Sequence, residues 1–189
     1  MNDFLPDVNC FATQGHFAFV IKTEIPYRCT VILLHQKYGK IVCIFGKTDQ
    51  AAVLTAGSFI WCSVVKTTTF YSLDTLEIQS QLAIKDLRFM HEIMRLCLYN
   101  LPKNIAVPEL FDFLRYVQGH IDQFDDKSKH VALLRIFLML DLVPDQPYIY
   151  QAAGLNPTGL IDIDLAVLQQ YAQQCWSNFH RSKKQLIEP

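Results

Sequence analysis

The chain has 189 residues, 51% of them hydrophobic and 19% charged, with 17 Lys and Arg set against 18 Asp and Glu. That apolar content excludes a disordered chain, and the length is enough to bury about 70% of the unfolded surface. The balanced charge excludes a purely electrostatic nucleic-acid binder, while leaving room for a local basic patch.

Residues 1–15 form a lead-in with no basic leader, and no apolar run reaches the ~20 residues a membrane helix needs, so a cytoplasmic, nucleoid-associated protein is expected. Three runs rich in β-branched and aromatic residues follow: Phe17 to Ile21, Cys29 to His35 and Lys40 to Phe45. They read as consecutive strands, with Gly39 in a tight turn that needs positive φ. The second and third are apolar on both alternating faces, so something must cover the outside of the sheet. Ser58 to Lys66 reads as a fourth strand. Phe70 to Leu73 and Thr75 to Gln79 read as a closing pair around Asp74. With no helix long enough for βαβ units, these strands predict a small closed barrel over residues 1–80.

Beyond Ser80 the period changes. Leu82, Leu87, Met90, Ile93, Met94, Cys97, Leu98 and Leu101 recur at helical spacing up to Pro102. Pro108 and Glu109 suit the first turn of a second helix, which runs through Ile121. Asp125, Asp126 and Ser128 offer caps for a third, Val131 to about Leu142, stopped by Pro144. Its apolar residues lie almost all round, which places it at the centre of a helical bundle. Asp145 to Gly159 reads as a connector, and Asp164 caps a last helix with a Leu165, Leu168, Tyr171, Ala172, Cys175, Trp176 and Phe179 stripe. The fold class is therefore α+β: a barrel over residues 1–80 packed against a helical bundle over residues 81–189.

The six cysteines show no CxxC pair and no His at ligand spacing, so they read as free core residues in a reducing compartment. There is no GxxxxGK[ST], GxGxxG, HExxH or GxSxG. Asp162 and Asp164 are explained by helix capping, and no feature favours pairing Cys62 or Cys97 with His35 or His91. The reading is of a non-enzyme without cofactor or metal.

The run Thr23 to Lys47, with TVILLHQKYGKIVCIFGK at its heart, resembles the N-terminal OB-fold of the bacterial recombination mediator family RecO. The order of later segments is similar too: a helix ending in Leu101-Pro102, then Pro108-Glu109-Leu110-Phe111, then a Leu-rich helix closing in Leu142 to Asp145. The resemblance covers about residues 15–150. It implies a five-stranded OB-fold and a non-enzymatic DNA repair factor. Such a factor binds single- and double-stranded DNA, anneals complementary strands, contacts the acidic C-terminal tail of single-stranded DNA-binding protein, and works with RecR to load RecA. Two departures stand out. Gln146 to Asp164 contains neither Cys nor His, so the family's zinc site is not implied, and Lys47 alone stands where the family has an extended basic loop.

An OB barrel holds single strands by stacking bases on aromatics and following phosphates with cations. The candidates are Lys22, Arg28, Lys37, Tyr38, Lys40 and Lys47, with Tyr27 as a second aromatic; the alternative is that they are ordinary solvated charges. For an acidic partner peptide the candidates are Arg88, Arg95, Arg115, Lys127, Lys129, His130 and Arg135. Arg135 interrupts an apolar helix and must snorkel, pair with an acid or line a pocket. A second reading keeps the fold as a protein-docking adaptor with little DNA affinity.

Overall fold

The computed structural model describes residues 15–24, 29–45, 54–68, 70–80 and 83–187. Five strands, β1 (His16–Thr23), β2 (Thr30–His35), β3 (Gly39–Phe45), β4 (Phe59–Lys66) and β5 (Tyr71–Ser80), close into a barrel in the order β1-β2-β3-β5-β4. The neighbours are antiparallel except β3 and β5, which run parallel through Cys43↔Tyr71, Ile44↔Ser72 and Phe45↔Leu73. One expectation fails here: residues 71–80 are not two strands broken at Asp74 but one. The irregularity sits in β4, where a register shift between Ser63 and Val64 absorbs the misfit, and Ser63 meets Asp74 and Thr75 through its hydroxyl.

Alternation along the strands sends Ala18, Val20, Val31, Leu33, Ile41, Cys43, Ile60, Cys62, Tyr71 and Leu73 into the barrel. The other face of β1 and β2 supplies Phe19, Ile21 and Leu34 to a second core shared with the helices. Phe19 is fully buried and its ring meets Phe59 at 4.9 Å and Phe111 at 5.4 Å, tying β1 to β4 and to the helical part.

Five helices follow: α1 (Ile84–Asn100), α2 (Pro108–His120), α3 (Asp126–Met139), α4 (Pro147–Ala153) and α5 (Leu165–Ile187), with a 3-10 turn at Ile121–Gln123. Asp125 caps α3, its carboxylate accepting from the Ser128 N–H at 2.8 Å and hydroxyl at 2.6 Å, which holds the acid below the usual range. As its composition predicts, α3 touches all four other helices. The expected connector holds a helix instead. Pro147 pre-sets the first turn of α4, and Ile149, Ala152 and Ala153 bury its inner face, so packing overrides the turn-rich composition.

The barrel and the helices are joined at the β2–β3 hairpin. Gly39 has φ +69°, and a Cβ there would lie 1.7 Å from the Ile105 carbonyl oxygen in the α1–α2 loop, so conformation and close approach both require glycine. Next to it, Lys40 donates from Nζ to the Leu98 carbonyl at 2.7 Å, a cation on the last turn of α1.

Candidate nucleic-acid interface on the barrel

The residues proposed for DNA from the sequence do not form one patch. Arg28, Lys47 and Tyr27 lie outside the described residues. Lys22 and Lys37 stand at opposite ends of the β1–β2 pair, since Lys22 is opposite Ile32 while Lys37 lies beyond the Ala18↔His35 rung. Three rungs at ~3.3 Å, about 10 Å, separate the Lys22 rung from the last one, and Lys37 lies in the turn beyond it. Lys22 is bound to Glu24 at 2.8 Å.

Lys40 is 8% exposed and committed to α1, so its place among phosphate contacts is corrected: it anchors the barrel to the helices. Burial first, then the Lys103 charge, lowers the affinity of its amine for a proton. Tyr38 is likewise engaged. Its ring stacks on His35 at 4.8 Å and meets Tyr71 at 5.4 Å, with the Lys37 ammonium 5.4 Å above it, so it closes the end of the barrel.

Beneath Tyr38, His35 is 1% exposed. Its Nδ1 accepts from the backbone N–H of Lys37 at 3.1 Å and of Tyr38 at 3.3 Å, which puts the ring proton on Nε2; that atom is buried without a partner. Burial, with the neighbouring His16 and Lys37 charges, pushes its pKa down to about 4. The ring is a neutral structural group. The thiols of Cys43, Cys62, Cys97 and Cys175 are buried and pushed up to about 12 by desolvation, which keeps them protonated. Cys29 is exposed, and Cys10 lies outside the described residues.

What the register does assemble is a strip on the outer wall of β2, β3, β5 and β4. One row runs Lys22, Ile32, Val42; the next runs Thr30, Ile44, Ser72, Val65. Val42, Ile44 and Val65 are 40–41% exposed, and Phe70, just before Tyr71 at the β4–β5 tip, is 42% exposed beside the exposed Lys66. This is the part of the doubly apolar sheet that the helices leave open. Phe70 was passed over as the edge of a strand; the signal for it is a single aromatic after three threonines in a turn.

The cations proposed for a partner also separate. Arg88, Lys129 and His130 line a cleft of about 450 Å³ between α1, α3 and α5, floored by Phe89 and Leu133. Glu92 and Asp126 share its rim, and Arg88 Nε lies 3.7 Å from the Glu92 carboxylate. Lys129 binds Asp86 at 3.0 Å, and Asp86 is 2% exposed in the first turn of α1. Lys127 reaches the Ile161 carbonyl, and Arg115 is exposed on α2. Arg95 lies over Trp176 at 4.7 Å. Arg135 covers the Phe113 ring at 5.0 Å, so an aromatic face is its partner.

No protein-family model matches the chain, and no curated protein matches it. Among the described residues no helix is long and apolar enough to cross a membrane.

Proposed function

We propose that the protein is a non-enzymatic, RecO-like DNA-binding and annealing factor whose barrel is an OB-fold. The observation that carries this reading is the exposed strip around Val42, Ile44, Val65 and Phe70 on a closed β1-β2-β3-β5-β4 barrel. OB-folds take single strands on the wall of strands 2 and 3 and on the loops at its ends; the strip shares the β3 part of that wall and runs on across β5 to the end of β4. Phe70 offers the stacking face, and the exposed Lys66 at the same tip is the phosphate partner. In this reading RecR, RecA loading and the acidic tail of single-stranded DNA-binding protein remain the associated partners.

The test is anisotropy of a labelled oligo-dT at ~50 mM salt, where phosphate contacts are strongest, together with annealing of complementary oligonucleotides. Binding is expected to weaken about tenfold in Phe70→Ala, the worth of one stacked base. Absence of binding at that salt sinks the proposal.

The adaptor reading draws on a specific observation as well: Lys40 and Tyr38 are taken up structurally, and the Arg88, Lys129 and His130 cleft has an apolar floor. It predicts that an acidic peptide ending in an aromatic binds the full chain and that Arg88→Ala weakens it, with oligo-dT unaffected by Phe70→Ala.

A further inference from the structure

The open wall of the barrel offers a nucleic-acid strand little charge. Of the two lysines at its edges, Lys22 is bound to Glu24 at 2.8 Å, and the exposed Lys66 stands over the Tyr71 ring at 5.9 Å. The exposed Asp74 follows two residues after Ser72, with the Ser63 hydroxyl directed at its carboxylate. One phosphate held by Lys66 gives single-strand binding a salt slope of only about −0.7. On the DNA reading, the affinity then has to come from the bases.

Phe70, 42% exposed, offers a flat face to one base, and stacking is tolerant of which base it is. The rest of the strip is of another kind. Val42, Ile44 and Val65 are β-branched, 40–41% exposed, and carry no hydrogen-bonding side-chain group. Val42 and Ile44 lie two residues apart on β3, ~7 Å, and Ile44 faces Val65 across Ser72, ~10 Å away. Branched methyls set out in this way make a ridged surface and not a stacking platform. Such a ridge cannot read donors or acceptors; it rewards an aliphatic group on the base. Of the four DNA bases thymine alone carries one, the C5-methyl.

We infer that the ridge of Val42, Ile44 and Val65 is a thymine-methyl subsite, which makes the protein prefer thymine-bearing single strands to their uracil counterparts. The inference rests on the DNA reading and deepens it: DNA is told from RNA by the base methyl, with no contact to the 2′-hydroxyl required. Burying one methyl is worth about fourfold in affinity, so two seated bases give on the order of tenfold.

Anisotropy at ~50 mM salt compares labelled oligo-dT with oligo-dU of the same length, and oligo-dC with its 5-methylcytosine form. Oligo-dT is expected to bind about tenfold tighter than oligo-dU, and the methylated cytosine strand tighter than the plain one by a similar factor. Val42→Thr with Ile44→Thr should cut the dT-to-dU ratio to about twofold while leaving thermal unfolding and oligo-dU affinity unchanged. Phe70→Ala should weaken both strands alike and keep the ratio. Equal binding of oligo-dT and oligo-dU overturns the inference and leaves the DNA reading standing, since the bases then lie flat on the wall. A ratio that survives the threonine pair, or one that disappears with Phe70→Ala, overturns it as well, because the methyl is then read away from the ridge. Absence of binding by every strand removes the DNA reading itself, and the subsite with it.

Discussion

The barrel has two outer walls made of the same kind of residue, and they have opposite fates. On β1 and β2, Phe19, Ile21 and Leu34 are buried against the helices. On β3 and the end of β4, Val42, Ile44 and Val65 are left 40–41% exposed with Phe70 beside them. Hydrophobicity alone does not distinguish the walls; the joint at Gly39 and Lys40 does. It sets α1 and the α1–α2 loop against one side and leaves the other open. The exposed strip is the part of the outer wall on which the proposed contact rests.

The largest effect should come from breaking the covered wall. Phe19→Ala removes a ring shared by β1, β4 and α2 and should lower stability in urea by about 4 kcal/mol. The next comes from the ion pair that binds α1 to α3. Lys129→Ala leaves the Asp86 carboxylate buried alone and should cost about 3 kcal/mol, whereas the pair Asp86→Leu with Lys129→Met should return most of that loss. If the double variant is as unstable as the single one, the cost lies in lost packing and not in the stranded charge.

Much of this was legible before any coordinates. Runs of β-branched and aromatic residues gave all three early strands, Gly39 gave the hairpin, Pro108 and Asp125 gave two helix starts, and the all-round apolarity of Val131 to Leu140 gave the central helix. Three things were not. Proline-rich residues 145–159 hid α4, because a seven-residue helix owes its stability to tertiary burial that no local pattern records. Lys40 looked like any other cation near a hairpin, since nothing local says that the end of α1 will arrive above it. Asp86 sits in a helix whose charged residues resemble a solvated face, and only its distance to Lys129, 43 positions away, marks it as buried. Each miss is a long-range contact, and the candidate site depends on such contacts more than the strands do.

The barrel end closed by Tyr38 should yield to acid at intermediate cost. His35 binds its proton at about 4 when folded and near 6.5 when unfolded. The unfolded chain therefore holds more protons between those values. The stabilisation is whole above pH 6.5 and fades as pH falls towards 4. From pH 7 to pH 5 the loss should be about 2 kcal/mol, measured as the difference in urea midpoints between wild type and His35→Gln. An identical acid slope in the variant would assign the sensitivity to other groups.

The smallest effect on stability should come from the open wall, and it is the sharpest test of the contrast between walls. Val42→Thr with Ile44→Thr keeps the β-branched shape that suits a strand and changes only what the surface offers. Since both side chains face solvent, stability should stay within about 0.5 kcal/mol of wild type. If the strip takes bases or a sugar edge, the lost apolar area is a few tens of Å², which at about 25 cal/mol per Å² lowers oligo-dT affinity by roughly fivefold or less. A stability loss comparable to that of Phe19→Ala would mean that this wall is covered after all. Unchanged DNA affinity at unchanged stability would remove the strip, and with it the barrel, from the nucleic-acid interface.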